Sequence, residues 1–198
     1  MKADVMITGV GGQGIILASD VLGEVAIADG YDVKKTDTIG MAQRGGSVIS
    51  HVRIADKVYS PLIKKGTADI LLAFEKLEAA RWADYLKKDG IAIVNNHALP
   101  PLSVSMGTDR YPSDEEILAI LKAHTDRIYI VEGNKRAQEL GNIRTLNVFM
   151  LGCLSRFLPL KAETWQEGII QRLPQKVQQI NLNAFELGRK ETGHGNLS

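Results

Sequence analysis

The 198-residue chain has one cysteine, Cys153, so it can form no internal disulfide, and it cannot hold a four-cysteine iron–sulfur cluster by itself. Histidine is scarce as well. The four at positions 51, 97, 124 and 194 include no helical pair at metal-ligand spacing, which argues against a zinc site. Lys and Arg (24) nearly balance Asp and Glu (23), giving a formal charge of +1 and no general attraction to nucleic acid or an anionic membrane. No apolar run is long enough to span a bilayer, and the N-terminus lacks a signal-peptide layout, so a cytoplasmic protein is expected. The apolar (44%) and charged (24%) fractions are those of an ordinary globular chain, so disorder is not expected.

Against these absences the chain has 19 glycines, and two clusters of them are placed unusually. "DVMITG" reads as a short buried strand, and "GVGGQG" at 9–14 follows it. Apolar residues Ile15, Ala18, Leu22, Val25 and Ala26 then recur at helical spacing over 13–29. "YDVKKTD" at 31–37 reads as a second, more exposed strand. Strand, glycine loop, helix and strand together open a doubly wound α/β sheet.

Gly9, Gly11 and Gly14 match G-x-G-x-x-G, a spacing that lets a diphosphate approach a helix N-terminus. The plain alternative is close helix–sheet packing. A nicotinamide site also requires an acid at the end of the second strand. Asp37 stands late for that role and follows Lys34 and Lys35, which weakens the reading. Gly12 adds freedom to the loop. Gln13 brings an amide that donates and accepts at once, suited to holding a neighbouring loop or a polar ligand edge.

The second cluster is "GMAQRGGSVISHVR". Gly45 and Gly46 would allow a reversal into the following strand at φ values closed to other residues. Beside them, Gln43 and Arg44 project polar groups. Arg44 offers a planar five-donor fork suited to a carboxylate, a phosphate or a partner's acid, or else it is a solvated charge. In the strand, Val48, Ser50, Val52 and Ile54 share one face, and Ile49, His51 and Arg53 the other.

Further along, "DKVYSP" predicts a turn and a short paired strand, completing an antiparallel hairpin insertion. "ADILLAF" at 68–74 resumes a buried strand, 75–88 reads as a helix ended by Asp89-Gly90, and "IAIVNN" is the next strand. Ser113 and Glu116 form a capping box, and "DRIYIVEG" is a late strand. From 134 the pattern is helical: a buried helix in "TLNVFMLGCLSRFL", then "AETWQEGIIQRL" and "PQKVQQINLNAFELGRK". The expected fold is a Rossmann-like doubly wound α/β sheet with a β-hairpin insertion and a C-terminal helical extension. It forms a single domain, with a core over 1–133, the extension over 134–190 and a tail over 191–198.

Other polar residues read modestly. Cys153 and His51 read as packed residues, Glu75 as a helix opener, Asn95 and Asn96 as residues at the ligand-bearing edge, and Trp82 and Trp165 as packing. No residue qualifies as a general acid, base or nucleophile.

Taken together, "GVGGQGIILAS", "DTIGMAQRGGSVISHVRI", "SPLIKKGTADILLAFEKLEAAR" and "NLNAFELGR" resemble the small (beta) subunit of indolepyruvate ferredoxin oxidoreductase. This is the gamma-type domain of the 2-oxoacid:ferredoxin oxidoreductase family, and the resemblance runs from about Asp4 to Arg189. Relatives acting on pyruvate or oxoglutarate usually carry an acid two positions before the loop arginine and an aromatic before its first glycine. Ala42 and Ile39 stand there, favouring the arylpyruvate branch. The resemblance implies oxidative decarboxylation of a 2-oxoacid to an acyl-CoA, with electrons passing to ferredoxin. It places thiamine diphosphate, Mg and the iron–sulfur clusters on the large (alpha) partner subunit, with none on this chain alone. Gly9 to Gly14 and Gly40 to Gly46 would then form adjacent loops at one sheet edge, with Arg44 facing the large subunit or coenzyme A at a shared cleft. Two alternatives remain: a free-standing NAD(P)-binding dehydrogenase and a non-enzymatic nucleotide-binding module.

Overall fold

A computed structural model describes residues 1–40 and 45–192. Its centre is a six-stranded sheet of order β2-β3-β1-β4-β5-β6. The strands are β1 (Ala3–Val10), β2 (Asp32–Ile39), β3 (Ser47–Ala55), β4 (Ala68–Ala73), β5 (Leu86–Asn95) and β6 (Arg127–Val131). β1, β4, β5 and β6 run parallel, whereas β3 pairs antiparallel with both β1 and β2.

Apolar residues on alternate positions of each strand divide into two cores, one on each face. Val5, Ile7, Val52, Ile70, Leu72 and Ile93 join one core; Met6, Ile49, Leu71, Ala92 and Val94 join the other. The near-continuous apolar runs of β1 and β4 follow from burial on both faces. The first face is covered by α1 (Ile15–Ala28), α6 (Leu146–Ser155), α7 (Ala162–Arg172) and α8 (Gln175–Glu191). The second is covered by α2 (Lys76–Trp82) and α4 (Asp114–Lys122). The short helices α3 (Leu102–Ser105) and α5 (Gly133–Glu139) complete the chain.

The Rossmann-like α/β sheet, the hairpin and the C-terminal helices are all present, and the Ser113–Glu116 capping box forms. Every residue of α6 is buried. Three local expectations are corrected. The strand paired with β3 in the hairpin is β2, not the "DKVYSP" segment, which forms only bends. The helix expected over 75–88 ends at Trp82, followed by a 3-10 turn over Ala83–Tyr85. β5 already begins at Leu86, because Leu86 is needed as a partner for Ala68 across a bulge. Of the tail expected over 191–198, the first two residues are tied to the fold, and 193–198 lie outside the described residues. Glu191 ends α8 and pairs with Arg136 (3.3 Å), and Thr192 is buried with its hydroxyl donating to the Cys153 carbonyl (3.3 Å).

Candidate functional site

The glycine loop leaves the carboxyl end of β1, beside the equivalent ends of β4 and β5. Gly9 is the penultimate residue of β1, opposite Val48, and a Cβ there would press on Phe74 and Ile15, both at 2.9 Å. Gly14 is the N-cap of α1 with φ of 83°, a left-handed conformation that disfavours any side chain. Gly12 also lies in this loop. Gln13 is an internal strut: its Oε1 accepts from the Val10 N–H (2.8 Å), and its Nε2 donates to the Phe74 carbonyl (3.1 Å). The same carbonyl accepts from Asn95 Nδ2 (3.0 Å), which also donates to Asn134 Oδ1 (2.7 Å). Two carboxamides thus lace together the ends of β1, β4 and β5 and the start of α5.

The second loop meets the first. Gly11 donates its N–H to the Gly46 carbonyl (2.9 Å), and Gly40 donates to the Ser47 carbonyl (3.1 Å). Positive φ falls at Gly45 (79°) and not at Gly46, so the reversal expected of both glycines rests on one. Gln43 and Arg44 lie outside the described residues.

Sequence reasoning missed the anchor beneath this junction. Glu78, 2% exposed, accepts from the Ser47 hydroxyl, from Arg81 Nη1 (2.7 Å), from Trp82 Nε1 (3.3 Å) and at the limit from Thr8 Oγ1 (3.5 Å). A buried carboxylate is kept only when its lone pairs are satisfied, and four donors achieve this. The available signal was an acid three and four residues before Arg81 and Trp82, which reads equally well as a solvated helix face. Glu75 caps α2 by accepting from the Glu78 N–H (2.8 Å), as expected of a helix opener. It further accepts from the Leu99 N–H (2.9 Å) and the Tyr111 hydroxyl, and burial with this carboxylate pushes the Tyr111 phenol up.

His51 and Cys153 are packing residues, as read. His51 Nδ1 accepts from the Ile63 N–H (3.3 Å), and burial lowers its pKa. Cys153 is fully buried, and its thiol is pushed up by the same desolvation. One inaccessible cysteine does not fit a cluster-binding set. Among the described residues no three His, Cys, Asp or Glu side chains are grouped to hold a metal ion. No helix among them is long and apolar enough to cross a membrane. Asp37 accepts from the Ser50 hydroxyl (2.6 Å) and pairs with Lys35 (2.9 Å). Because β3 lies between β1 and β2, Asp37 stands two strands away from the glycine loop's own strand.

A cleft of about 730 Å³ opens beside the glycine loop, between the start of α1, the segment after β5 and the starts of α6 and α8. This is the crevice at the carboxyl ends of the parallel strands where open α/β sheets bind ligands.

A glycine loop at the carboxyl ends of the parallel strands of a mixed sheet, backed by a layer of C-terminal helices, defines a Rossmann-like chain. A sequence profile of the pyruvate ferredoxin/flavodoxin oxidoreductase family matches residues 4–191. The chain belongs to that family, as its small-subunit type. Indolepyruvate oxidoreductase subunit IorB of Pyrococcus horikoshii is 43% identical over 190 residues, covering 94% of each chain. Among solved structures, the gamma subunit of keto/oxoacid ferredoxin oxidoreductase from Geobacter sulfurreducens superposes with a TM-score of 0.71 at 23% identity, covering 96% of this chain and 98% of that one. The 2-oxoglutarate:ferredoxin oxidoreductase of Magnetococcus marinus, solved with 2-oxoglutarate, coenzyme A and succinyl-CoA bound, gives a TM-score of 0.77 at 20% identity. That match covers all of this chain (100%) and 32% of the other.

Proposed function

We propose that this chain is the small subunit of a cytoplasmic 2-oxoacid:ferredoxin oxidoreductase acting on indolepyruvate or a related arylpyruvate. The observation that carries the reading is 43% identity over 94% of both chains to an indolepyruvate oxidoreductase subunit. In the reaction the carboxyl group leaves as carbon dioxide, the acyl group passes to the thiol of coenzyme A, and the electron pair goes to ferredoxin. Thiamine diphosphate, Mg and the iron–sulfur clusters would be held by the large subunit and supply the decarboxylation and electron-transfer chemistry. This chain's contribution is a shaped surface. The whole chain acts as one domain, with residues 134–190 packed on the sheet.

The two glycine loops, joined through Gly11 and Gly46, form that surface together with Gly9, Gly12, Gln13, Gly14, Gln43, Arg44 and Gly45. They meet the large subunit or coenzyme A at the shared cleft. Support comes from the Glu78 anchor and the Gln13 strut, which fix the loop bases to the sheet. Co-expression with the large subunit, anaerobic purification through a tag on this chain, and assay of iron, thiamine and substrate preference test the reading. A brown complex that reduces ferredoxin faster with indolepyruvate than with pyruvate or 2-oxoglutarate is expected. Recovery of this chain alone, without any iron- and thiamine-bearing partner, would refute it.

A further inference from the structure

β2 is the outermost strand at one side of the sheet, and its strand partner is β3 alone. Its register against β3 runs unbroken from Asp32 to Ile39, without a bulge, and it contains no proline. Among the described residues no backbone hydrogen bond reaches its outer side. Alternate N–H and C=O groups along the strand therefore face outward. A long unpaired edge is a template for another strand, and folds usually blunt it with a bulge, a proline or free lysines. Lys34 and Lys35 are present here, but neither is free. Lys34 Nζ donates to Asp32 (3.1 Å). Lys35 is drawn onto α1 by Ser19 (3.0 Å) and Asp20, and it pairs with Asp37 (2.9 Å). The two lysines and two aspartates of β2 cancel in charge.

The apolar side chains bordering this edge are exposed. Gly23 of α1 lies over Val33, which a Cβ there would approach to 3.7 Å, and Asp20 lies over Lys35, so α1 and β2 run in opposite directions. Ile16 and Ile27 extend the stripe of Asp20 and Gly23 at its two ends, by the four-three-four spacing of one helix face. They are 37% and 59% exposed, and Ile39 at the end of β2 is 59% exposed. Val33, Lys35, Asp37 and Ile39 alternate onto the strand face toward α1.

We infer that β2 pairs antiparallel with β2 of a second copy of this chain, about a two-fold axis at Thr36. Symmetry restricts the register. An axis perpendicular to the sheet keeps each face on its own side, so it must pass through a residue and not between two. Only axes at Lys35 or Thr36 use nearly the whole strand. An axis at Lys35 sets that lysine against its own copy and Val33 against Asp37. An axis at Thr36 sets Lys35 opposite Asp37 twice, Val33 opposite Ile39 twice, and Thr36 opposite itself. Opposite charges, β-branched apolar pairs and Thr–Thr pairs are favourable cross-strand neighbours, whereas like charges are not. Ile39 of the second copy then stands beside Val33, below Ile27, and the two six-stranded sheets become continuous. One strand pair with apolar ends is a small interface, so association at micromolar rather than nanomolar concentration is expected. The inference goes beyond the subunit reading and does not depend on it.

Sedimentation equilibrium of the full chain should show a reversible dimer in the micromolar range. Ile39→Lys, at an exposed position, sets a charge against Val33 and should weaken dimerisation at least about tenfold at unchanged melting temperature. Cross-linking reads the register. Thr36→Cys places two thiols across the axis with Cα atoms roughly 4.5–5.5 Å apart, within disulfide reach, and should give a covalent dimer under mild oxidation. Cys153 is buried and takes no part. Lys34→Cys and Thr38→Cys should each cross-link slowly alone and quickly when mixed, because residue 34 lies opposite residue 38 in this register. The cysteine variants keep the test decisive if Ile39→Lys fails to fold. A chain that stays monomeric throughout the micromolar range, a dimer that Ile39→Lys leaves unchanged, or a Thr36→Cys cross-link no faster than that of Lys34→Cys alone would overturn the inference. Assembly with the large subunit is scored separately on the tagged complex, so loss of the dimer leaves the subunit reading standing and loss of assembly leaves the dimer standing.

Discussion

The C-terminal helices hold to the sheet through a crossing of α6 and α8 that depends on two glycines. A Cβ on Gly188 would overlap the Phe149 carbonyl oxygen and come within 3.0 Å of Cys153 N. A Cβ on Gly152 would overlap the Phe185 carbonyl oxygen and come within 3.1 Å of Arg189 N. The obstructing atoms are backbone of the facing helix, so no side chain can swing aside. A methyl carbon needs about 3.3 Å from a carbonyl oxygen, which forces the helices apart by roughly 1 Å. A gap of that size forfeits about a quarter to half of the dispersion attraction across the interface, where Phe149 and Phe185 are fully buried.

Overpacking of this kind costs ~1–3 kcal/mol or more, against a gain of ~1 kcal/mol in helix propensity when Gly becomes Ala. Backbone-on-backbone contact places each substitution at the upper end, a net loss of about 2–3 kcal/mol. For a chain of this size that lowers the melting temperature by roughly 4–12 °C. Since one separation relieves both clashes, the Gly152→Ala/Gly188→Ala double variant should lose clearly less than the sum of the singles. Urea denaturation of the four proteins reads all of this. Stabilisation of either single variant by about 1 kcal/mol, as propensity alone predicts, would refute the close-approach argument.

Four further outcomes are expected. Burial holds His51 below its ordinary 6.5, so below that pH the unfolded chain binds more protons and stability falls. Thermal melts between about pH 5 and 7 should show this fall, and His51→Asn should flatten it. Gly45→Ala should cost about 1–2 kcal/mol in urea denaturation because its φ is positive, whereas Gly46→Ala should cost much less. Arg44→Ala should either weaken assembly with the large subunit by ~2–5 kcal/mol or raise KM for coenzyme A or the oxoacid in a normally assembled complex; wild-type assembly and kinetics together would leave Arg44 a solvated charge. The chain purified alone and anaerobically should be colourless, with no arylpyruvate-dependent dye reduction; turnover without a partner would contradict it.

The strands of the sheet were legible because their apolar runs are short, β-branched and bounded by glycine or charge. The Ser113 cap was legible because both of its partners are local in sequence. The pairing of β3 was not, since pairing depends on which exposed edge a strand meets, and "YDVKKTD" looks no more like a partner than "DKVYSP" does. The glycine loops were found by spacing alone, and Gln13 by its odd chemistry in such a loop. Glu78 was hidden because its donors come from Thr8, Ser47, Arg81 and Trp82, two of them far away in sequence.

The insertion of β3 also decides how the glycine motif is to be read. In a dinucleotide fold the strand after the first helix lies beside β1 and brings its terminal acid to the ribose. Here the antiparallel β3 takes that place along the whole of β1, from Ala3 opposite Ile54 to Val10 opposite Ser47. Asp37 is carried one strand further out and spent on Ser50 and Lys35. What reaches the glycine loop instead is Gly46, through its carbonyl bond to Gly11. The insertion therefore replaces a ribose contact with a loop that carries Arg44, and leaves the crevice on the β4–β5 side open. A saturable micromolar affinity for NADH in fluorescence titration, lost on Asp37→Asn, would show this reasoning to be wrong.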